Sequence, residues 1–367
     1  MFARARLRDL DWRLVLAALA ISAYGLAAVA SATRGDAAAA GLVHRQIVWL
    51  AVGVVAAVLA AGVHYHALAA RAGVIYIATV VLLATVVLIG YAAGGATRWL
   101  GLGALRIQPS EFAKPAIIVA LAAYWAARTG REASARGLLS SLAYAGLPAL
   151  LVFAQPDLGT ALALAAIWAA ITTVAGVPVR GLLLVAVAVA ALFVIAWQVK
   201  LIKPYQKDRL AAFVDPAADP LGTGYHVSQS KIAVGSGRWS GWGYGRGPQS
   251  RLDFIPAQHT DFVFTVIAEE LGFLGALVVL LLYVIIIWRC FTTADRAADR
   301  LGRYLAAGVG GVIAFQMIVN IGMTLGLMPV TGIPLPLISY GGSSTVAALI
   351  MLGLVQSVAL RQRRLVF

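Results

Sequence analysis

HTDFVFTVIAEELGFLGALVVLLLYVIIIW, residues 259–288, sets one acid, Asp261, at the head of an apolar run that reads as a bilayer-crossing helix. A hydrocarbon core about 30 Å thick takes roughly 20 apolar residues per helical span. On that rule about ten spans are expected, at 12–31, 46–63, 74–93, 115–127, 138–153, 158–176, 182–198, 262–288, 305–328 and 343–360. With 61% hydrophobic and 12% charged residues and a mean hydropathy of +0.88, the 367-residue chain is too apolar for a soluble globular protein. The fold class expected is an all-α polytopic membrane protein. No linker or internal repeat divides it, so residues 1–367 read as a single transmembrane domain.

Arginines orient it, because short loops retain Lys and Arg on the cytoplasmic side. Arg4, Arg6, Arg8, Arg13, Arg71, Arg128, Arg131, Arg136, Arg180, Arg289, Arg296, Arg300, Arg303, Arg361, Arg363 and Arg364 fall in short segments on one side. Both termini are therefore expected in the cytoplasm. The net charge of +14 is spread over many membrane-flanking loops and forms no nucleic-acid stripe, so no nucleic-acid partner is expected. Cys290 is the single cysteine, which excludes an intramolecular disulfide.

Two long loops face the other side. The first carries Arg98, Trp99 and then Gln108-Pro109-Ser110-Glu111, with Ser110 read as the cap of the next helix. Glu111 and Lys114, three apart, share a helix face. One reading is a neutralised lysine snorkelling into interfacial water; the other is a charged pair lining a substrate path. Asp157, in Gln155-Pro156-Asp157-Leu158-Gly159-Thr160, reads as a helix cap or as a site residue on the same side. The second loop, 200–260, between spans seven and eight, holds Lys203, Lys207, Arg209, Lys231 and eight glycines from Gly222 to Gly247. Such glycines suit a phosphate cradle or a mobile surface loop, and they match no nucleotide fingerprint. Near the C-terminus Pro329, Pro334 and Pro336 break an apolar stretch, which implies either a re-entrant or extended segment lining a cavity or a tight turn.

Gln108-Pro109-Ser110-Glu111, Gln155 to Thr160, His259-Thr260-Asp261-Phe262 with Glu269-Glu270-Leu271-Gly272, and Gly332-Ile333-Pro334-Leu335-Pro336 with Ser339 to Ser344 resemble the signature blocks of the SEDS family (shape, elongation, division and sporulation). Gln155, and Gln249-Ser250 with Leu252, Phe254 and Pro256, resemble its elongation branch more than its division branch. The resemblance implies a peptidoglycan glycosyltransferase that polymerises lipid II on the outer face of the bacterial cytoplasmic membrane. It also implies a class B penicillin-binding protein as crosslinking partner, alongside lipid II, nascent glycan and membrane lipids. It places the essential carboxylate on Asp261 and further important positions on Trp99, Glu111 and Lys114.

The residues supply candidates for that chemistry. Asp261 can act as base or hydrogen-bond acceptor for a sugar hydroxyl, although a helix N-terminus lowers its basicity where burial raises it. Arg98, Lys114, Lys203, Lys207, Arg209 and Lys231 can hold a diphosphate. His259 reads as an orienting or helix-entry residue, and Ser343 as a further binding position. No metal-ligand spacing occurs; a divalent cation, Mg or Mn, on the diphosphate stays open. A lipid II flippase and a scaffold without chemistry are the competing readings, since a charged polytopic bundle also suits transport.

Overall fold

A computed structural model describes the chain except residues 1–8, 35–38, 40, 94–95, 103–104, 129–133, 200–206, 208, 210, 212, 214, 216–221, 253, 256 and 363–367. Lys203, Pro256 and the arginines at 4, 6, 8, 131, 363 and 364 thus lie outside the described residues. Ten helices of seventeen or more residues follow the expected spans: α1 (Trp12–Ala32), α2 (Leu42–Gly62), α4 (Ala72–Ile89), α5 (Pro109–Ala126), α6 (Ala135–Ala154), α7 (Leu158–Val174), α8 (Val179–Gln198), α11 (Val263–Asp295), α12 (Arg300–Thr324) and α13 (Gly342–Ala359). Short helices α3 (Tyr65–Ala69), α9 (Thr223–Ser236) and α10 (Pro248–Arg251) complete the described set. Eight of the long helices can cross a membrane by length and composition. The chain is a multi-pass membrane protein.

Helices in lipid gain little from the hydrophobic effect, so close packing through small residues must hold them together. Gly308 of α12 sits against Ile171 of α7 and Ile118 of α5, and Gly311 against Ala170. Gly353 of α13 meets the backbone of Ala57 on α2, and Gly25 of α1 meets the backbone of Ile338. Ile117, Ile118 and Leu121, Leu164 and Ile167, and Val309 and Val312 are wholly enclosed between these helices. By contrast α8 buries none of its residues.

Two departures from the sequence reading have local causes. The span expected to run to residue 93 stops at Ile89, and Gly90 turns into an extended conformation. The first long loop then folds as an antiparallel meander, β1 (Tyr91–Ala93), β2 (Ala96–Leu102) and β3 (Leu105–Ile107), whose few residues carry too short an alternation to read. Helix α5 starts at Pro109, capped by Gln108 and not by Ser110, because proline's fixed φ and missing N–H suit the first helical position.

A further, long-range departure concerns the glycines. Helix α11 is broken at Gly272 (φ 64°, ψ −161°), and the loop after α9 threads the break. Trp242 N and Gly243 N donate to the carbonyls of Glu269 (3.1 Å) and Glu270 (2.8 Å), while Phe273 N and Leu274 N donate to the carbonyls of Arg238 (2.8 Å) and Trp239 (3.1 Å). Backbone groups freed at membrane depth must be satisfied by protein, and this loop satisfies them. A Cβ on Gly241 would lie 2.1 Å from the Glu270 carbonyl oxygen, and one on Gly237 1.9 Å from that of Ala268. These two glycines permit backbone-to-backbone contact with α11.

Candidate active site

The turn that carries Asp261 is gathered on one carbonyl: Ala257 O accepts from Thr260 N (3.0 Å) and Asp261 N (3.2 Å). Ala257 itself has φ 50°, a left-handed conformation costly for a non-glycine residue. The proline-broken segment 329–341 is non-helical and zipped to this turn, so the extended reading replaces the simple turn. Tyr340 N donates to His259 O (2.9 Å) and Ser339 Oγ to Thr260 O (2.6 Å). From α12, Asn320 Nδ2 donates to both Asp261 O (3.0 Å) and Ile333 O (2.8 Å). The motifs at 259–261 and 332–344 thus form one unit, with Asn320 as its cross-brace.

Sequence reading missed Asn320. Its signal was an amide inside an apolar helix, which membrane segments rarely carry without use. Replacing it with Ala strips a donor from two carbonyls. At about 1–3 kcal/mol for orphaned buried polar groups, Asn320→Ala is expected to lower both the apparent Tm in detergent and the turnover, while Asn320→Gln recovers little of either.

Gly332 (φ 72°) forms the floor beneath the carboxylate. A Cβ built there would lie 3.4 Å from Asp261 Oδ2 and 3.7 Å from Arg209 Nη1, so both side chains reach over this one residue. Asp261 is half-buried, and that burial raises its pKa above the ordinary carboxylate value. Arg209 and then Arg98 pull the pKa down, and Asp157 pushes it up. Burial outweighs the two arginines, which makes the carboxylate a stronger base than an ordinary one.

Arg98 donates to the Pro156 carbonyl and stands 3.9 Å from Asp157 Oδ1, fastening the turn before α7. Asp157 caps α7 through Thr160 N (3.2 Å) and also accepts from Thr160 Oγ1 (2.9 Å) and Gln108 Nε2 (3.2 Å). It serves as cap and as a neighbour of the site together. Ser343 Oγ accepts from Gln108 N (3.0 Å), joining the start of α13 to that of α5. Trp99, half-buried, pairs with Tyr91 across β1 and β2.

Other candidates have partners of their own. Lys114 donates to both oxygens of Glu111 (2.8 and 2.7 Å), and both residues are almost fully enclosed, at 1% and 2% exposure. The snorkelling reading is thus overturned: the pair is neutralised inside the bundle, where an unpaired charge would be costly. Lys231 lies over Gly326 past the end of α12, and Lys207 stacks on Trp197, 5.0 Å from its ring centre. His259 packs edge-on to Tyr340 at 5.8 Å and orders the turn from beside Asp261. Glu269 and Glu270, buried in α11, are held by Gln249 N (2.7 Å) and Ser250 N (3.0 Å), and by Ser31 Oγ (2.7 Å), respectively. They anchor the second loop. Among the described residues no three His, Cys, Asp or Glu side chains gather as a metal site would require.

Residues 10–364 match the family model described as "Cell cycle protein" for FtsW, RodA and SpoVE. The chain belongs to this SEDS family. It is 39% identical over 356 residues to the peptidoglycan glycosyltransferase MrdB of Escherichia coli K12, covering 97% of this chain and 95% of that protein. A chain solved in a peptidoglycan synthase complex that coordinates polymerization and crosslinking superimposes with a TM-score of 0.82 at 36% identity, covering 95% of this chain and 97% of that one. The rod-shape-determining protein RodA of Thermus thermophilus superimposes with a TM-score of 0.71 at 33% identity, over 95% of this chain and 96% of that one. MrdB and RodA thus stand among the relatives of this SEDS chain, together with proteins named as probable FtsW.

Proposed function

We propose that Asp261 is the general base of the peptidoglycan glycosyltransferase reaction that this SEDS chain carries out, with lipid II as substrate. The observation that carries this role is the convergence of Asp261 and Arg209 on Gly332. One carboxylate with a raised pKa faces one guanidinium across a residue that lacks a side chain. In the proposed step the acceptor 4-hydroxyl oxygen attacks the donor's anomeric carbon as its proton passes to Asp261. The bond from that carbon to the diphosphate breaks with inversion, and the leaving lipid diphosphate takes the electron pair. Arg209 neutralises it by charge-assisted hydrogen bonds. Arg98 acts from the side, holding the Pro156-Asp157 turn and biasing Asp261 toward its ionised form.

Several features support the wider setting. The arginine distribution favours both termini in the cytoplasm and Asp261 at the outer face of the cytoplasmic membrane. The resemblance to a chain from a crosslinking synthase complex supports a class B penicillin-binding protein as partner. The purified protein with that transpeptidase should extend lipid II offered only at the outer face of sealed vesicles. Movement of lipid II without polymer would instead make it a flippase.

Arg209 also allows a test by pH. A base works only when ionised, and Arg209 favours ionisation, so Arg209→Gln raises the Asp261 pKa further. The acid limb of the rate profile should move to higher pH, with turnover falling about 10–100-fold through lost diphosphate stabilisation. An acid limb that stays in place would separate Arg209 from Asp261.

A further inference from the structure

The glycine-rich loop leaves part of its surface unexplained by the reaction. Trp239 is 72% exposed and Trp242 54%, and Phe273, edge-on to Trp239 at 5.3 Å, is 51% exposed. Depth is the decisive quantity, and the hydrogen bonds into the break at Gly272 fix the loop at the level of that break in α11. Residues 273–288 carry no charge, and sixteen residues of helix rise about 24 Å, short of the roughly 30 Å hydrocarbon core. Trp288, 55% exposed, marks the opposite end of this run. The loop is therefore level with the bilayer and not above it. Its outward indoles match the amphipathic rings that collect at membrane interfaces.

Charge points the same way. From Gly237 to Leu252 the sequence GRWSGWGYGRGPQSRL has Arg238, Arg246 and Arg251 and no acid, and all three arginines are exposed. Exposed Arg34, at the end of α1, lies 4.5 Å over the Tyr244 ring and adds a fourth cation. We propose that residues 237–247 form a membrane-interface anchor that sinks Trp239 and Trp242 into the lipid boundary and sets these arginines against the phosphates of anionic phospholipid. The occupant is lipid because the patch continues the exposed apolar face of α11 through Phe273, Leu274 and Val278.

The test uses the full chain in vesicles of phosphatidylglycerol and phosphatidylcholine. With Cys290→Ala removing the single cysteine, a nitroxide on Trp242→Cys should relax more with oxygen than with a water-soluble nickel chelate, as should a reference label on Leu281→Cys. A label reached mainly by nickel would place the loop in water, and one shielded from both reagents would show a protein covering; either result overturns the anchor. Should labelling disturb the fold, brominated lipid quenching of the unlabelled protein replaces it. Wild type should lose a larger fraction of its fluorescence than Trp239→Phe/Trp242→Phe, and equal fractions would overturn the proposal. Arg238→Gln/Arg246→Gln should at least halve the Tm gain of phosphatidylglycerol over phosphatidylcholine, whereas an undiminished gain removes the phosphate contact.

Discussion

Asp261→Asn is expected to lower glycan polymerisation by about 10²–10⁴-fold, the usual contribution of a positioned general base, and to leave the fold no less stable. The two effects share one cause. Burial raises the Asp261 pKa, so the folded state holds its proton more tightly than the unfolded chain does. A group shifted this way contributes stability below its unfolded pKa and loses that contribution as pH rises through the folded pKa. At neutral pH the ionised carboxylate is therefore a cost, which the neutral amide removes. The apparent Tm of Asp261→Asn should equal or exceed that of wild type at pH 7, and the difference should shrink as pH falls. A variant that polymerises lipid II at the wild-type rate would remove Asp261 from the mechanism. A variant that is inactive only because it melts early would leave the base unassigned.

Gly241→Val should be the most damaging single change in the second loop. Its φ of 74° disfavours any side chain, and the new Cβ would stand 2.1 Å from the Glu270 carbonyl oxygen and 2.5 Å from Leu271 N. Those atoms are backbone inside a helix and have little room to yield. Backbone strain and overpacking together amount to about 2–6 kcal/mol, enough to pull the loop from the break at Gly272 and lower the apparent Tm by roughly 10 °C. Gly235→Ala is the matched control: its Cβ would meet nothing within 4 Å, and it sits within α9, where alanine is worth up to about 1 kcal/mol over glycine. Thermal unfolding in detergent should separate the two variants cleanly. Equal Tm values would mean that the loop does not brace α11.

Legibility in the sequence followed the range of the interaction involved. Asp261 could be picked out because a lone carboxylate at the head of an apolar run is costly in any membrane fold. The Glu111–Lys114 pair was visible as a spacing, yet whether it opened to water depended on what packed around α5. Lys231 was grouped with the site from its charge and its side of the membrane, but its contact is with Gly326 at the end of α12. The glycines of the second loop invited a phosphate reading because local composition cannot show that Gly237 and Gly241 lie against α11, some thirty residues away.

The spans, their order, the helical class and the family motifs were determined by the sequence alone, since apolar run length and local residue pattern are properties of consecutive positions. Only the tertiary structure decided that Arg209 and Asp261 converge on Gly332, that Asn320 ties the acidic turn to the proline-broken segment, and that the second loop threads a helix. Each of these joins residues far apart in the chain, and the contact exists only once close packing has brought their backbones together.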